Sequence, residues 1–317
     1  MTTTAPSTAT STATGAAEPA TGAAQRPALF DHHRARLEAD AAILPDHPEE
    51  TPESTLRALW AVAAGTPLSV TAAVGRPLAR LGDEGERLLA ALVERRVAGS
   101  PLGHLTGRQG FMGLELLAGP EALVPRVETE ILGRTALDLV RATGGSLVID
   151  LCTGAGNLAA VLAVAAPGAT LHAADLSTAA VGLARANMVF AGVADRVSVH
   201  EGDLFDALPA GLRGRVDVLV CNPPYISSAR VGEMAAEISE HEPRMAFDGG
   251  SLGMSIVSRL VQEAPDWLRP GGWLCFEIGL GQGPYWSKRI PRLPGWDAVE
   301  PVADDDGNVR VITARRA

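Results

Sequence analysis

Cysteine is scarce in this sequence, and its placement argues against several kinds of site. The three cysteines, Cys152, Cys221 and Cys275, are an odd number and lie far apart. No pair has the C-x-x-C spacing of a zinc site, and the seven histidines show no metal-ligand spacing. Because unpaired thiols are typical of reducing compartments, we expect a cytoplasmic protein without a metal site.

The sequence also lacks a long apolar run and an excess of positive charge. No uncharged apolar stretch reaches the roughly 18 residues of a membrane span, and the N-terminus has neither the basic start nor the apolar core of a signal peptide. The 37 acidic residues outnumber the 27 Lys and Arg residues, giving a net charge of -10. A protein that binds nucleic acid through its phosphates needs a basic face, so we expect neither membrane insertion nor direct nucleic-acid binding.

The chain of 317 residues is long enough for two domains, and its first segment differs in composition from the rest. Residues 1–26 are almost wholly Thr, Ala, Ser, Pro and Gly. Such a segment cannot bury enough apolar surface to offset the entropy of ordering it. We therefore predict a disordered tail over residues 1–26.

Helical periodicity follows this tail. Thr51 suits a helix cap, and apolar residues then recur at intervals of three or four positions. A second amphipathic stretch ends at Val97. We predict a helical N-terminal domain over residues 27–109 and, because glycine and proline interrupt the next short apolar pieces, a hairpin-like connector over residues 110–126.

Strand-length apolar runs alternate with helical patterns after this connector. The alternation predicts an α/β domain over residues 127–317, with a Rossmann-like parallel sheet and helices on both faces. Ligands of such sheets bind at the carboxyl ends of the strands. The runs are Leu147–Leu151, Thr170–Ala174, Val197–His200, Val216–Cys221 and Trp273–Ile278.

Three successive strand ends carry residues that suit a nucleoside cofactor. Residues 152–156 form a glycine-rich turn, which lets a ligand approach the backbone closely. Asp175 follows the next run, where a carboxylate can accept hydrogen bonds from both ribose hydroxyls. Asp203 follows the third and can accept a hydrogen bond from an adenine amino group. Either aspartate alone is more often a loop residue, but the ordered set predicts a nucleoside site.

The fourth run ends in Asn222-Pro223-Pro224-Tyr225, a segment that suits a planar amino group. Its two prolines restrict the backbone and remove two amide donors, so carbonyl groups are left free to accept hydrogen bonds. Asn222 adds an acceptor oxygen and Tyr225 a flat face. We infer that the segment can hold an NH2 group by both hydrogens and stack on its plane.

The glycine turn, the two aspartates and the Asn-Pro-Pro-Tyr segment together resemble class I S-adenosylmethionine-dependent methyltransferases that methylate amino groups. That segment is shared by enzymes that methylate adenine N6 in nucleic acids and by those that methylate glutamine side chains. Further stretches resemble the release-factor glutamine N5-methyltransferases in particular, from about Thr51 to the C-terminus. They are residues 101–107, Phe111, residues 124–130, Glu242-Pro243, Gly249-Gly250, Pro270-Gly271-Gly272 and Glu277-Ile278-Gly279.

The resemblance implies S-adenosyl-L-methionine as the cofactor and a peptide chain release factor as the partner, which the helical domain helps to dock. Asp175 would bind the ribose, Asp203 with Leu204 the adenine, and residues 152–156 the methionine part. The implied cofactor contacts are Asp150, Cys152, Thr153, Gly154, Ala155, Gly156, Asp175, Asp203, Leu204 and Asn222. The implied acceptor contacts are Phe111, Asn222, Pro223, Pro224, Tyr225 and Glu242, of which Asn222, Pro223 and Tyr225 are expected to be catalytic.

Three acceptors are compatible with this site. A release-factor glutamine fits the whole motif set best, whereas the acidic charge disfavours a nucleic-acid adenine. A small-molecule amide or guanidine, such as free arginine, is the third; a guanidinium favours nearby carboxylates, and Glu237, Glu240 and Glu242 follow the Asn-Pro-Pro-Tyr segment.

A charged group at the end of the connector and just after it is compatible with two roles. It can form an ion-pair network that joins the domains, or it can contact the cofactor. Its members are Arg126, Glu128 and Glu130.

Overall fold

A group of helices and a β-hairpin precede an α/β domain in the computed structural model, which describes residues 21–41, 47–144, 146–231, 243–250 and 252–317. The N-terminal helices are α1 (Thr21–Asp40), α2 (Pro52–Ala63), α3 (Val70–Ala73), α4 (Asp83–Val97) and α5 (Leu102–Thr106). The hairpin consists of β1 (Arg108–Phe111) and β2 (Leu114–Leu117).

The N-terminal helices enclose a core of their own. The Thr51 hydroxyl accepts a hydrogen bond from the Ser54 amide at 3.2 Å, which caps α2 as its sequence predicts. Apolar residues of α2 and α4, among them Trp60 and Leu89, are buried together. Helix α1 begins at Thr21, within the segment predicted to be disordered, and its later residue Leu37 is buried in this core. Residues 1–20 lie outside the described residues.

The α/β domain contains a seven-stranded sheet in the order β5-β4-β3-β6-β7-β9-β8. The strands from β5 to β7 are parallel, and β9 and β8 add an antiparallel edge that the alternation did not predict. The strands are β3 (Leu147–Leu151), β4 (Thr170–Asp175), β5 (Val197–Glu201), β6 (Val216–Cys221), β7 (Leu268–Glu277), β8 (Trp296–Ala303) and β9 (Val309–Arg316). The helices are α6 (Thr129–Thr143), α7 (Asn157–Ala165), α8 (Thr178–Phe190), α9 (Ser228–Val231), α10 (Ser255–Trp267) and α11 (Gly283–Arg289).

Each face of the sheet carries a hydrophobic core, which confirms the predicted Rossmann-like arrangement with helices on both faces. Helices α6, α7 and α8 cover one face, whereas α10 and α11 cover the other. Phe111 was expected to contact the acceptor, but its ring is only 1% exposed and packs into the first of these cores. The reason is that the hairpin lies on this face of the sheet, so an apolar side chain at position 111 points into the core.

Polar contacts attach the hairpin and the helical domain to the α/β domain. The Leu117 amide donates to Asn187 Oδ1 at 2.7 Å, and Gln109 Nε2 donates to Asn157 Oδ1 at 2.6 Å. His47, in the helical domain, lies 2.5 Å from an Arg126 guanidinium nitrogen. No helix within the described ranges is both long and apolar enough to cross a membrane.

Arg126, Glu128 and Glu130 take part in a network of ion pairs and hydrogen bonds. Glu128 accepts a hydrogen bond from Arg310 of β9 at 3.1 Å, and Glu130 accepts one from the Met112 amide at 3.0 Å. Together with the contact between Arg126 and His47, these bonds link the helical domain, the hairpin and the sheet. Of the two roles considered for Arg126, Glu128 and Glu130, the structure thus favours the network.

Candidate active site

A cavity of about 320 Å³ lies at the carboxyl ends of β3, β4 and β6, where β3 and β6 are neighbours. Ligands of open α/β sheets bind at such a point because the connections from the two strands run in opposite directions. The strand order places Asp203, Asp175, the glycine turn and Asn222 in a row along this edge. We call the part from Asp203 to the turn the cofactor end and the part around Asn222 the acceptor end.

The glycine turn is shaped by backbone that favours glycine. Gly154 and Gly156 have φ of 56° and 82°, and Cys152 has φ of 55°. A Cβ on Gly156 would lie 2.7 Å from Met188 Cε and 3.2 Å from Ala184 Cβ, so a side chain there would collide with α8. The cavity is lined by Cys152, Thr153 and Gly154 but not by Gly156, which lets the turn approach α8 instead.

Asp150 supports this turn from behind. Its Oδ2 accepts hydrogen bonds from the Thr153 hydroxyl at 2.5 Å and the Ala159 amide at 3.1 Å. Complete burial raises the pKa of its carboxyl to about 7. Asp150 was predicted to contact the cofactor, but it does not line the cavity because both of these donors lie within the turn and α7. Ala155, also predicted as a contact, is buried against Ala122 and Ala180.

Asp175 and Asp203 both line the cavity. The two carboxylate oxygens of Asp175 accept hydrogen bonds from the Gly154 and Ser177 amides, both at 2.9 Å. Burial raises the pKa of this carboxyl, and the backbone hydrogen bonds oppose the rise. Asp203 accepts a hydrogen bond from Arg259 at 2.7 Å, a partner on α10 that the sequence did not indicate. The following Leu204, with φ of 47°, also lines the cavity.

At the acceptor end, Asn222 and Pro224 line the cavity. Asn222 Nδ2 donates to the Thr129 hydroxyl at 3.2 Å, which leaves its Oδ1 without a hydrogen-bond partner among the described residues. Thr129 begins α6 and also lines the cavity. The side chain of Asn222 therefore presents an acceptor oxygen to a ligand, as the chemistry of an NH2 group requires.

Tyr225 is placed differently from its predicted role. Its hydroxyl donates to Glu277 Oε1 at 2.8 Å, and it does not line the cavity. A Cβ on Gly253 would collide with its carbonyl oxygen, and one on Gly279 would lie 3.0 Å from its ring. Burial, together with the adjacent carboxylate, raises the pKa of the Tyr225 hydroxyl well above its usual value. Tyr225 is thus held by the buried Glu277, whereas the prediction had its ring stacked on the acceptor.

Two sets of predicted residues and one that the sequence did not identify complete the description of the site. Pro223 is buried and does not line the cavity. Glu242, with Glu237 and Glu240, lies outside the described residues. The sequence did not identify the connector side of the cavity, formed by Glu121, Ala122, Leu123 and Pro125.

Comparison with known proteins identifies the family. Residues 129–255 match the family model "Methyltransferase small domain". The chain is 38% identical to the release factor glutamine methyltransferase of Gloeobacter violaceus over 71% of its own length and 78% of the relative's. It is 37% identical to that of Deinococcus radiodurans over 84% of its length and 92% of the relative's. The chain belongs to the release factor glutamine methyltransferase family. It is an S-adenosylmethionine-dependent methyltransferase.

Solved structures agree on the fold of this methyltransferase. The catalytic domain of hMettl16, crystallised in complex with MAT2A 3'UTR hairpin 6, superposes with a TM-score of 0.51 at 17% identity. The match covers 64% of this chain and 75% of that one. It confirms the class I methyltransferase architecture.

The residues at the cofactor end fit S-adenosylmethionine. Asp175 offers carboxylate oxygens for ribose hydroxyls, and the apolar side chains of Leu176, Leu204 and Ile256 line the same cavity and suit an adenine ring. The turn at Cys152–Gly154 brings backbone close to the cavity for the methionine part. The cavity continues from there to Asn222, so the methyltransferase can bring cofactor and acceptor together in one space.

Proposed function

We propose that this methyltransferase transfers a methyl group from S-adenosylmethionine to the side-chain amide nitrogen of the glutamine in the Gly-Gly-Gln motif of a peptide chain release factor. The observation that carries the proposal is the Oδ1 of Asn222 at the acceptor end, which no described residue uses as a hydrogen-bond acceptor. An oxygen in this position accepts a hydrogen bond from an NH2 group. The names of the family members support the same acceptor.

The chemistry of the acceptor explains why positioning is the main task of the site. An amide nitrogen is a poor nucleophile because its lone pair is delocalised into the carbonyl group. The cofactor supplies an activated methyl group on a sulfonium. Asn222 Oδ1 accepts a hydrogen bond from the NH2 group, so that the lone pair of the nitrogen faces the cofactor end. Positioning of this kind can lower a barrier by roughly 7–11 kcal/mol.

This hydrogen bond also favours the transition state. Positive charge develops on the nitrogen as the N–C bond forms, and the Asn222 oxygen stabilises that charge more strongly than it stabilises the neutral amide. The bond from the methyl carbon to the cofactor sulfur would break in the same step and leave a thioether, and the nitrogen would then release one proton to water. A strong general base is not needed for this mechanism.

The helical domain is the proposed docking surface for the release factor. It is tied to the connector that covers one side of the cavity, through the contact of His47 with Arg126 and the hydrogen bond of Ser69 with Glu115 at 3.4 Å. A release factor that contacts this domain can therefore extend its Gly-Gly-Gln loop into the acceptor end. Since release factors act on ribosomes, the reaction would take place in the cytoplasm.

Methyl transfer from labelled cofactor tests this proposal. We expect label in an intact release factor, located by peptide mass mapping at the Gly-Gly-Gln glutamine, and none in a release factor that carries Gly-Gly-Asn instead. A peptide with Gly-Gly-Gln should be labelled more slowly because it lacks the docking contacts.

The same assay distinguishes the other acceptors. Free arginine, free glutamine and single-stranded oligonucleotides containing adenine are offered in parallel. Label in any of these and none in the release factor would overturn the proposed acceptor while leaving the methyltransferase assignment intact.

A further inference from the structure

A set of polar side chains extends from Asn222 into the protein interior. Asn222 donates to the Thr129 hydroxyl at 3.2 Å, and Tyr225 donates to Glu277 at 2.8 Å. Helix α6, which Thr129 begins, packs on β7, and a hydrogen bond from the Thr129 side chain lowers the pKa of the Glu277 carboxyl. Thr129 is 4% exposed and Glu277 is 2% exposed. The buried Glu277 carboxylate at the end of β7 is thus connected to both polar residues of the Asn-Pro-Pro-Tyr segment. Its connection to Tyr225 is direct, and its connection to Asn222 passes through Thr129.

Glu277 retains an unused acceptor in this arrangement. Its Oε2 is buried and makes no hydrogen bond of standard length to a described residue. A buried carboxylate oxygen without a donor is costly, and the Thr129 hydroxyl is the donor available beside it. A hydroxyl has one hydrogen, so a threonine that donates to Glu277 can only accept from Asn222.

The direction of these hydrogen bonds decides which end of the Asn222 amide faces the acceptor. When Thr129 accepts, Nδ2 points to Thr129 and Oδ1 points to the cavity. If the Asn222 amide were rotated by half a turn, its NH2 would face the NH2 of the acceptor, and two donors would oppose each other. An ionised carboxylate only accepts hydrogen bonds, so it enforces the first arrangement.

We propose that Glu277 and Thr129 are positioning residues for methyl transfer, which fix the Asn222 amide with its oxygen toward the acceptor nitrogen. The proposal rests on the proposed function of Asn222 in holding the acceptor amide. Neither residue need touch the acceptor. Their effect is on turnover, because they do not contact the cofactor end of the cavity.

The surroundings of Glu277 predict how this effect depends on pH. Burial raises the pKa of its carboxyl to about 7, and Glu128 adds to the rise, whereas the hydroxyls of Thr129 and Tyr225 and the guanidinium of Arg310 oppose it. Above this pH the carboxylate enforces the orientation of Asn222. Below it the protonated acid can itself donate, so the turnover rate falls as the pH is lowered through about 7.

Substitutions of Thr129 that keep the size of its side chain test the proposal. Thr129→Val removes the hydroxyl and keeps the shape, so we expect turnover to fall roughly 10- to 100-fold, with cofactor affinity within about threefold of wild type. Thr129→Ser restores the hydroxyl and should recover most of the rate. Thr135→Val is the matched control, because the Thr135 hydroxyl on the same helix donates only to the Ile131 carbonyl. It should leave turnover unchanged.

Glu277→Gln supplies the readout that a structural role would not change. The wild-type rate should show a rise with pH centred near 7, and this rise should be absent in Glu277→Gln. Wild-type turnover in Thr129→Val, or the same pH profile in Glu277→Gln as in wild type, would overturn the proposal. So would a loss of cofactor affinity in Thr129→Val that matches its loss of turnover.

A double variant separates this proposal from the proposed function of Asn222. In an Asn222→Ala background, Thr129→Val should cause no further loss, because its only effect passes through Asn222. An additive loss would contradict the positioning role. If Asn222→Ala alone keeps wild-type turnover, the proposed function of Asn222 fails; if Asn222→Ala is inactive and Thr129→Val is normal, only the positioning proposal fails.

Discussion

The two ends of the cavity are built in different ways. At the cofactor end, Asp175 is held by residues near it in the chain and at the next strand end, the Ser177 and Gly154 amides, and of the two aspartates there only Asp203 has a partner distant in sequence, Arg259. At the acceptor end, the partners are distant in sequence: Asn222 is held by Thr129, and Tyr225 by Glu277. The first end therefore depends on local turn geometry, and the second depends on the assembly of the whole sheet. Substitutions at the cofactor end should therefore change cofactor affinity, and substitutions at the acceptor end should change turnover.

The largest effect is expected at Asn222. Asn222→Ala removes the oxygen that holds the acceptor, and we expect turnover to fall by roughly 100- to 1,000-fold, the range for removal of one transition-state hydrogen bond. Cofactor affinity, measured by calorimetry, should stay within about threefold of wild type. Asn308→Ala, at an exposed asparagine, is the control. A parallel fall in affinity and turnover would mean that the two ends are not separable.

A substitution at Asp175 should instead weaken cofactor affinity and leave turnover largely unchanged. In Asp175→Asn an NH2 group replaces one of the two oxygens that accept backbone hydrogen bonds, so one donor faces another. We expect cofactor affinity to weaken roughly 10- to 100-fold. Turnover at saturating cofactor should change much less. Asp138→Asn, exposed on α6, controls for the loss of one negative charge. Unchanged affinity in Asp175→Asn would remove Asp175 from the cofactor end.

Two glycines of one turn allow a finer comparison. Gly156→Ala combines a positive φ with a Cβ 3.2 Å from Ala184 Cβ, which cannot move away as the flexible Met188 can. We expect a loss of stability of roughly 2–4 kcal/mol. Gly154→Ala has a similar φ but meets only Ala122 Cβ at 3.9 Å, so it should cost roughly 1–2 kcal/mol and act mainly on cofactor affinity. Denaturant unfolding measures both, and equal losses would contradict the packing argument.

The smallest effect concerns stability alone. Burial raises the pKa of the Asp150 carboxyl to about 7. Between about pH 4 and 7 the carboxyl is therefore protonated in the folded state and ionised in the unfolded state. Stability contributed by this group therefore falls as the pH rises through that window and is flat above it. Asp150→Asn keeps an oxygen for the Thr153 and Ala159 donors, so its melting temperature should decrease less steeply with pH.

The control for this measurement is Asp266→Asn, at an exposed position. It should follow the wild-type dependence on pH. A wild-type slope in Asp150→Asn would show that Asp150 is ionised at low pH in the folded protein.

The same difference between the ends explains what the sequence could predict. The glycine turn, Asp175 and Asp203 were predictable because each follows directly from a strand and its turn. The placement of Tyr225 was not, because its partner Glu277 lies on another strand, and only the register of the sheet brings the two together. Phe111 was assigned to the acceptor by resemblance, whereas its burial depends on how the hairpin packs. Asp150 was predicted to contact the cofactor, but it lies in β3 and supports the turn from the side away from the cavity.

Cofactor affinity and single-turnover methyl transfer to the release factor, measured on the same preparations of Asn222→Ala and Asp175→Asn, test the central claim most directly. The account predicts opposite selectivity. Asn222→Ala should lose transfer and keep affinity, and Asp175→Asn should lose affinity and keep most of the transfer at saturating cofactor. Equal losses of both quantities in both variants would contradict the division of the cavity into a cofactor end and an acceptor end.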